Sequence, residues 1–287
     1  MTRASPFPPT VHVGTSSWSS PDWYGVFYPP ELKPADFLSY YARHFDTVEI
    51  DATWHHPPSP ALVDGWRQRT PEGFRFAAKV PQTITHKKYL LDCDREMTQF
   101  LRTMERLGDR LGPLVFQFPY VAKGKDEHEY RTGEDFLRRL RTFLPTLPRE
   151  FRYAVEVRNP GWVTEDLLSL LRTYDIALTL ISYYTMPPLD ELMQKKDVVT
   201  TDFTLIRFLG HHKQMDALVA RLIKEGRKEK EWDELVLDRT PDMQRWVPAI
   251  NRLAARGIEI YVYFNNHYAG FAIGSIRLFE EVWRKSC

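Results

Sequence analysis

Eight short segments of apolar or alternating residues punctuate the chain, at 11–14, 47–51, 75–80, 114–118, 153–158, 177–181, 203–208 and 259–264. Amphipathic stretches with helical spacing lie between and after them, at 35–45, 60–69, 93–107, 133–144, 165–174, 241–256 and 270–284. A strand that runs parallel to its neighbour needs a crossover of about a dozen residues or more, usually a helix, to return the chain to the same end. Eight such units predict an α/β fold: a single (β/α)8 barrel of the TIM type with a parallel eight-stranded core.

The barrel is expected over residues 11–287, with 1–10 as a loose lead-in, and 287 residues is an ordinary length for one such domain. Between the sixth and seventh strands, 186–201 reads as a loop with only a short helical piece. The mixed-charge run 224–231 reads as a solvated helix face.

Lysine plus arginine (39) nearly balances aspartate plus glutamate (38), so no global field draws the protein to nucleic acid or an acidic membrane. The two cysteines, Cys93 and Cys287, are too few for a disulfide scaffold and are expected as free thiols in a reducing compartment. The first ten residues lack the apolar run of a secretory signal, and no segment reaches the roughly 18–20 apolar residues of a membrane span. A soluble, cytoplasmic protein without a membrane partner is expected; oligomeric state is left open.

Residues two apart in a strand share a face, and in a barrel one face meets the helices while the other fills the interior. Val48 and Ile50 pack outward, which turns Glu49 and Asp51 inward. The same parity turns Ala77 and Lys79, Gln117, Ala154 with Glu156 and Arg158, Arg207, and Tyr261 with Tyr263 and Asn265 inward. The polar members cluster near the C-terminal ends of their strands, where barrel active sites are built. Buried charges cost free energy unless paired, so several strands each carrying one point to a site, with a structural ion network as the alternative.

These residues also carry a family resemblance. Gly14-Thr15-Ser16-Ser17-Trp18, Tyr24-Gly25-Val26-Phe27-Tyr28-Pro29 and Val48-Glu49-Ile50-Asp51-Ala52-Thr53 resemble the opening of the YecE-like family, domain of unknown function 72. The likeness continues in order through Lys79-Val80-Pro81-Gln82-Thr83-Ile84-Thr85-His86, Gln117-Phe118-Pro119, Ala154-Val155-Glu156-Val157-Arg158, Trp162, Asp202 with Arg207, and Tyr263-Phe264-Asn265-Asn266 before Gly270. It implies a (β/α)8 barrel described loosely as related to sugar isomerases and compared with metal-dependent endonucleases of the same fold, and it implies no settled activity. Asp51 stands where the family usually has asparagine, and Thr53-Trp54-His55 where it has Thr-Phe-Tyr. Both departures fall at the pocket mouth.

Glu49 and Glu156 are the expected acid and base, converging from strands two and five; an ion pair with Lys79, Arg158 or Arg207 is the alternative for each. Lys79, Arg158 and Arg207 suit a carboxylate or phosphate, and a Schiff-base role for Lys79 is weighed against its carboxylate neighbours. Asp51, Gln117, Tyr263, Asn265 and Asn266 offer polar contacts, while Trp18, Trp54 and Trp162 offer flat rings for stacking or rim packing. No metal ligand is assigned, because three cations share the face with three carboxylates and the pairs His55-His56 and His211-His212 lack ligand spacing. No cofactor is expected, a divalent metal being the alternative.

The reading is an enzyme, whether hydrolase, isomerase or lyase, acting on a small polar or anionic metabolite such as a sugar, sugar acid or phosphosugar. A nucleic-acid-binding or phosphodiester-cleaving protein, possibly metal-dependent in that form, is the first alternative. A non-catalytic ligand-binding barrel is the second.

Overall fold

The computed structural model describes residues 6–122 and 132–286. Eight parallel strands run round a nearly closed barrel: β1 (Val11–Thr15), β2 (Thr47–Ile50), β3 (Arg75–Lys79), β4 (Leu111–Gln117), β5 (Tyr153–Glu156), β6 (Ala177–Tyr183), β7 (Phe203–Gly210) and β8 (Glu259–Phe264). β1 pairs with β8, and each remaining neighbour pairs in sequence order back to β2. The eight-stranded parallel barrel expected from the alternation is the fold observed.

The seam between β1 and β2 is closed by a side chain rather than by a ladder. The Thr15 amide donates to the Tyr41 hydroxyl at 2.9 Å, and that hydroxyl donates to the Thr47 carbonyl at 3.2 Å. The strands approach so closely that a Cβ on Gly14 would fall inside the van der Waals shell of the Thr47 carbonyl oxygen. Glycine there is a requirement of close approach.

The helices are α1 (Phe37–Tyr41), α2 (Pro60–Gln68), α3 (Asp94–Met104), α4 (Gly133–Phe143), α5 (Glu165–Tyr174), α6 (Leu189–Lys195), α7 (His212–Lys224), α8 (Thr240–Ala255), α9 (Asn266–Ala269) and α10 (Ala272–Ser286). Local chemistry starts several of them. The side chains of Ser59, Thr132 and Thr164 accept from the amides of Leu62, Asp135 and Leu167, satisfying donors that a helix N-terminus leaves free. Among the described residues no helix is long and apolar enough to cross a membrane.

Several boundaries differ from those read in the sequence. The helix expected at 35–45 is α1 alone, preceded by a 3-10 turn at Pro34–Asp36. The helical piece in 186–201 is α6. The run 224–231 is exposed at 224–227, 229 and 231 but is not a helix face: α7 ends at Lys224, Lys228 is buried against Asp233 and Glu234, and Lys230 Nζ donates to the Tyr24 carbonyl at 2.7 Å. In the stretch read as a loose lead-in, Phe7 stacks on Phe279 and meets the edge of Trp283, both in α10. Residues 1–5 and Cys287 lie outside the described residues.

Strand parity is as the alternation implies. Val48, Ile50, Phe76, Phe116, Val155, Ile206, Val262 and Phe264 join the large core under the helices, while Ala77, Val115, Ala154, Leu205, Tyr261 and Tyr263 form a separate cluster inside the barrel. The entrance at the N-terminal face is crossed by a polar plug. There the Arg152 guanidinium pairs with Glu259, and His12 lies 2.6 Å from Asp46 and 3.4 Å from Glu259. The charged layer above the apolar cluster faces the C-terminal end.

Candidate functional site

Register sets neighbours within two strand pairs: Gln117 stands beside Glu156 and Arg207 beside Tyr263. Beneath them the Tyr263 hydroxyl meets the Thr47 hydroxyl at 2.7 Å, so Tyr263 belongs to the packed layer below the charges. Its burial holds the phenol well above its ordinary range.

Arg207 is the hub. It is 1% exposed, and its Nε and Nη2 reach Glu49 Oε2 at 3.2 and 2.8 Å while Nη1 donates to Glu156 Oε2. Arg158 Nε donates to the other Glu156 oxygen at 3.0 Å. Both glutamates are fully buried. Burial alone would raise the Glu156 carboxyl, but the charges of Arg207, Arg158 and Lys79 outweigh it and hold it at about 2. Glu49 Oε1 is buried without a hydrogen-bond partner.

Lys79 pairs with Asp51, whose side chain is 36% exposed at the mouth. Burial opposes the Asp51 charge, and Lys79 and Arg207 overcome it, so the carboxyl stays below its ordinary value. The Arg158 guanidinium lies 4.7 Å over the Tyr183 ring. The Trp54 ring stands 6.0 Å from Lys79 Nζ and meets His86 edge-on, and its Nε1 is buried without a partner.

Two of the three expected stacking rings are placed elsewhere. Trp18 packs edge-on against Trp66 and Phe76, on the helix side of the sheet, and Trp162 stacks on Phe136 of α4. Asn265 and Asn266 both reach the C-terminal face. The side-chain oxygen of Asn265 accepts from the amide of His267 at 3.0 Å, and that of Asn266 from Ala272 at 2.9 Å.

A cleft of about 440 Å³ opens at this end, lined by the loop after β1, the turn after β8, Asp51 and the segment at 231–232. The protein-family model described as "Protein of unknown function DUF72" matches residues 12–286. The chain belongs to the DUF72 family. Among curated relatives, the UPF0759 protein YecE of Escherichia coli (strain K12) is 37% identical over 150 residues, 52% of this chain and 49% of YecE, so the match spans about half the length of that relative. The UPF0759 protein YunF of Bacillus subtilis (strain 168) is 26% identical over 277 residues, 91% of this chain and 90% of YunF. The crystal structure of a DUF72 family protein from Thermotoga maritima MSB8 superposes with a TM-score of 0.70 at 28% identity, covering 96% of this chain and 98% of that one.

In this DUF72 barrel a second layer of residues surrounds the cleft that strand parity does not reveal. The His212 ring stacks on His267 at 4.2 Å, and Trp232 leans on His267 at 4.6 Å. His267 Nδ1 faces Asn265 Oδ1 at 2.8 Å and Nε2 faces Asp216 at 2.9 Å, so both ring nitrogens are held. Burial, with the nearby His267, Arg158 and Lys79, pushes the His212 imidazole down to about 4. The pair His211-His212 is visible in the sequence, whereas its partner His267, directly after Asn265-Asn266, lies in a short helix beyond β8 where strand parity says nothing.

Among the described residues no group of three or more His, Cys, Asp or Glu side chains is placed to hold a metal ion. In this DUF72 chain Glu49, Asp51 and Glu156 each face a cation instead.

Proposed function

We propose that the C-terminal face of the barrel binds and acts on a small anionic metabolite, with Lys79 and Arg158 taking its charged group. The observation that carries this is the unequal sealing of the charges. Glu49, Glu156 and Arg207 are shut inside, whereas the side chains of Arg158 and Lys79 keep 14% and 9% exposure, and Lys79 pairs with Asp51 at the mouth. The sealed layer carries one net negative charge and the mouth one net positive charge, which favours an anion there.

On this reading Glu49 anchors Arg207, and Glu156 holds both Arg207 and Arg158, because a carboxylate bound by two guanidinium groups is a poor proton acceptor. His212, whose imidazole burial holds down at about 4, stacks on His267, which lines the cleft. A thermal-shift screen of phosphosugars, sugar acids and neutral sugars tests the reading. Anionic compounds are expected to raise Tm in the wild-type protein and to lose that effect in Lys79→Met and Arg158→Leu. An equal response in the variants sinks the assignment.

A further inference from the structure

The cleft beside the Lys79–Arg158 mouth is built differently from it. Among the described residues no Lys or Arg side chain lines it. It offers instead neutral donors whose hydrogen-bonding capacity is unused. Ser16 is 4% exposed and its Oγ has no partner, and the buried Trp23 Nε1 has none either. Asn265 and Asn266 spend their amide oxygens on backbone N–H groups, which fixes their orientation and leaves the NH2 ends as donors.

Acceptors share the space with these donors. Asp22 and Glu231 line the same space, together with Asp51, which is also the partner of Lys79. Buried polar atoms left unpaired are costly, and two in one cleft indicate groups that a ligand or ordered water completes. A hydroxyl group both donates and accepts, so a row of hydroxyls matches a mixed set of amide, hydroxyl and carboxylate groups better than an anion or an apolar ring does. The Trp232 ring adds a flat wall of the kind on which C–H faces pack. At about 440 Å³ the cleft lies within the usual size range for small-molecule pockets.

We infer that the ligand is a polyhydroxylated compound with one anionic end, its hydroxyls in the cleft against Ser16, Asn265 and Glu231 and its charge on Lys79 and Arg158. Asp51 touches both halves and sets the join. This rests on the anion site proposed above and adds to it the class of the remainder of the molecule and the direction in which it lies.

Isothermal titration with inorganic phosphate, a panel of hexose and pentose phosphates, a panel of aldonates, and sorbitol tests it. At least one phosphosugar or aldonate is expected to bind more than about tenfold tighter than inorganic phosphate, the worth of one or two net hydrogen bonds. Ser16→Ala and Glu231→Ala are expected to erase that advantage while leaving phosphate binding unchanged, with folding checked by an unaltered Tm. Lys79→Met is expected to weaken phosphate and phosphosugar alike. If phosphate binds as tightly as every sugar derivative, or if the Ser16 and Glu231 variants keep the full advantage, the hydroxyl subsite is wrong and the anion site stands. If no anion binds, both fall.

Discussion

Arg207 Nη2 stands 2.8 Å from Glu49 Oε2, joining two residues 158 positions apart in the centre of the barrel. The same guanidinium also donates to Glu156, so a single cation is shared by two sealed carboxylates. Removing it leaves two buried negative charges with reduced compensation. Arg207→Met is therefore expected to cost about 3–5 kcal/mol in urea denaturation, as breaking one side of a buried ion pair does. A loss under about 1 kcal/mol would mean the triad is not the structural floor described here.

The acid limb of stability should fall in two steps. The His212 imidazole is lowered from 6.5 to about 4 in the folded protein, so the unfolded chain binds more protons between those values and stability drops as pH falls through that window. Glu156 is lowered from 4.5 to about 2, so its contribution is full above 4.5 and is lost as pH falls toward 2. His212→Gln should remove the upper step and spare the lower one. Equilibrium unfolding across pH 3–7 checks this, and an unchanged upper step in the variant would refute it.

The alkaline limb has a different owner. Burial opposes the charge on His12, but its bonds to Asp46 and Glu259 more than compensate and raise it from 6.5 to about 9. A raised pKa contributes stability that is complete below 6.5 and disappears as pH climbs through about 9. His12→Gln is expected to flatten stability over that interval. A slope that survives the substitution assigns the effect elsewhere.

At the β1–β2 seam, Gly14→Ala forces a methyl group against the Thr47 carbonyl. A cost of about 1–3 kcal/mol is expected from overpacking. Tyr41→Phe removes the hydroxyl that links the Thr15 amide to the Thr47 carbonyl and should cost about 1–3 kcal/mol through the buried groups left unpaired. Calorimetric Tm values for both variants equal to that of the parent would show that the seam is not under this constraint.

Strand parity made the barrel and its inner charges legible, since Val48 and Ile50 on one face leave Glu49 no other direction to point. It carried no information about partners. Whether Glu156 would meet Lys79, Arg158 or Arg207 depends on distances across the barrel, and the structure gives it two guanidinium groups at once. The tryptophans were less legible, because a loop residue has no periodicity: Trp54 reached the mouth, while Trp18 and Trp162 packed under helices. The run 224–231 misled for a related reason. Its charges do face solvent at 224–227 and 229, yet no helix carries them beyond Lys224, and Lys228 and Lys230 pin the run down while Glu231 lines the cleft.

The most direct test is a crystal soaked with the tightest phosphosugar or aldonate from the titration panel. Ligand density is predicted at the C-terminal face, with the anionic group against Lys79 and Arg158 and the hydroxyls running past Asp51 toward Ser16. The N-terminal face has its own arginine-bearing pocket of about 300 Å³ beside Arg149 and Arg152. Density there, with the Lys79–Arg158 mouth empty, would contradict the account.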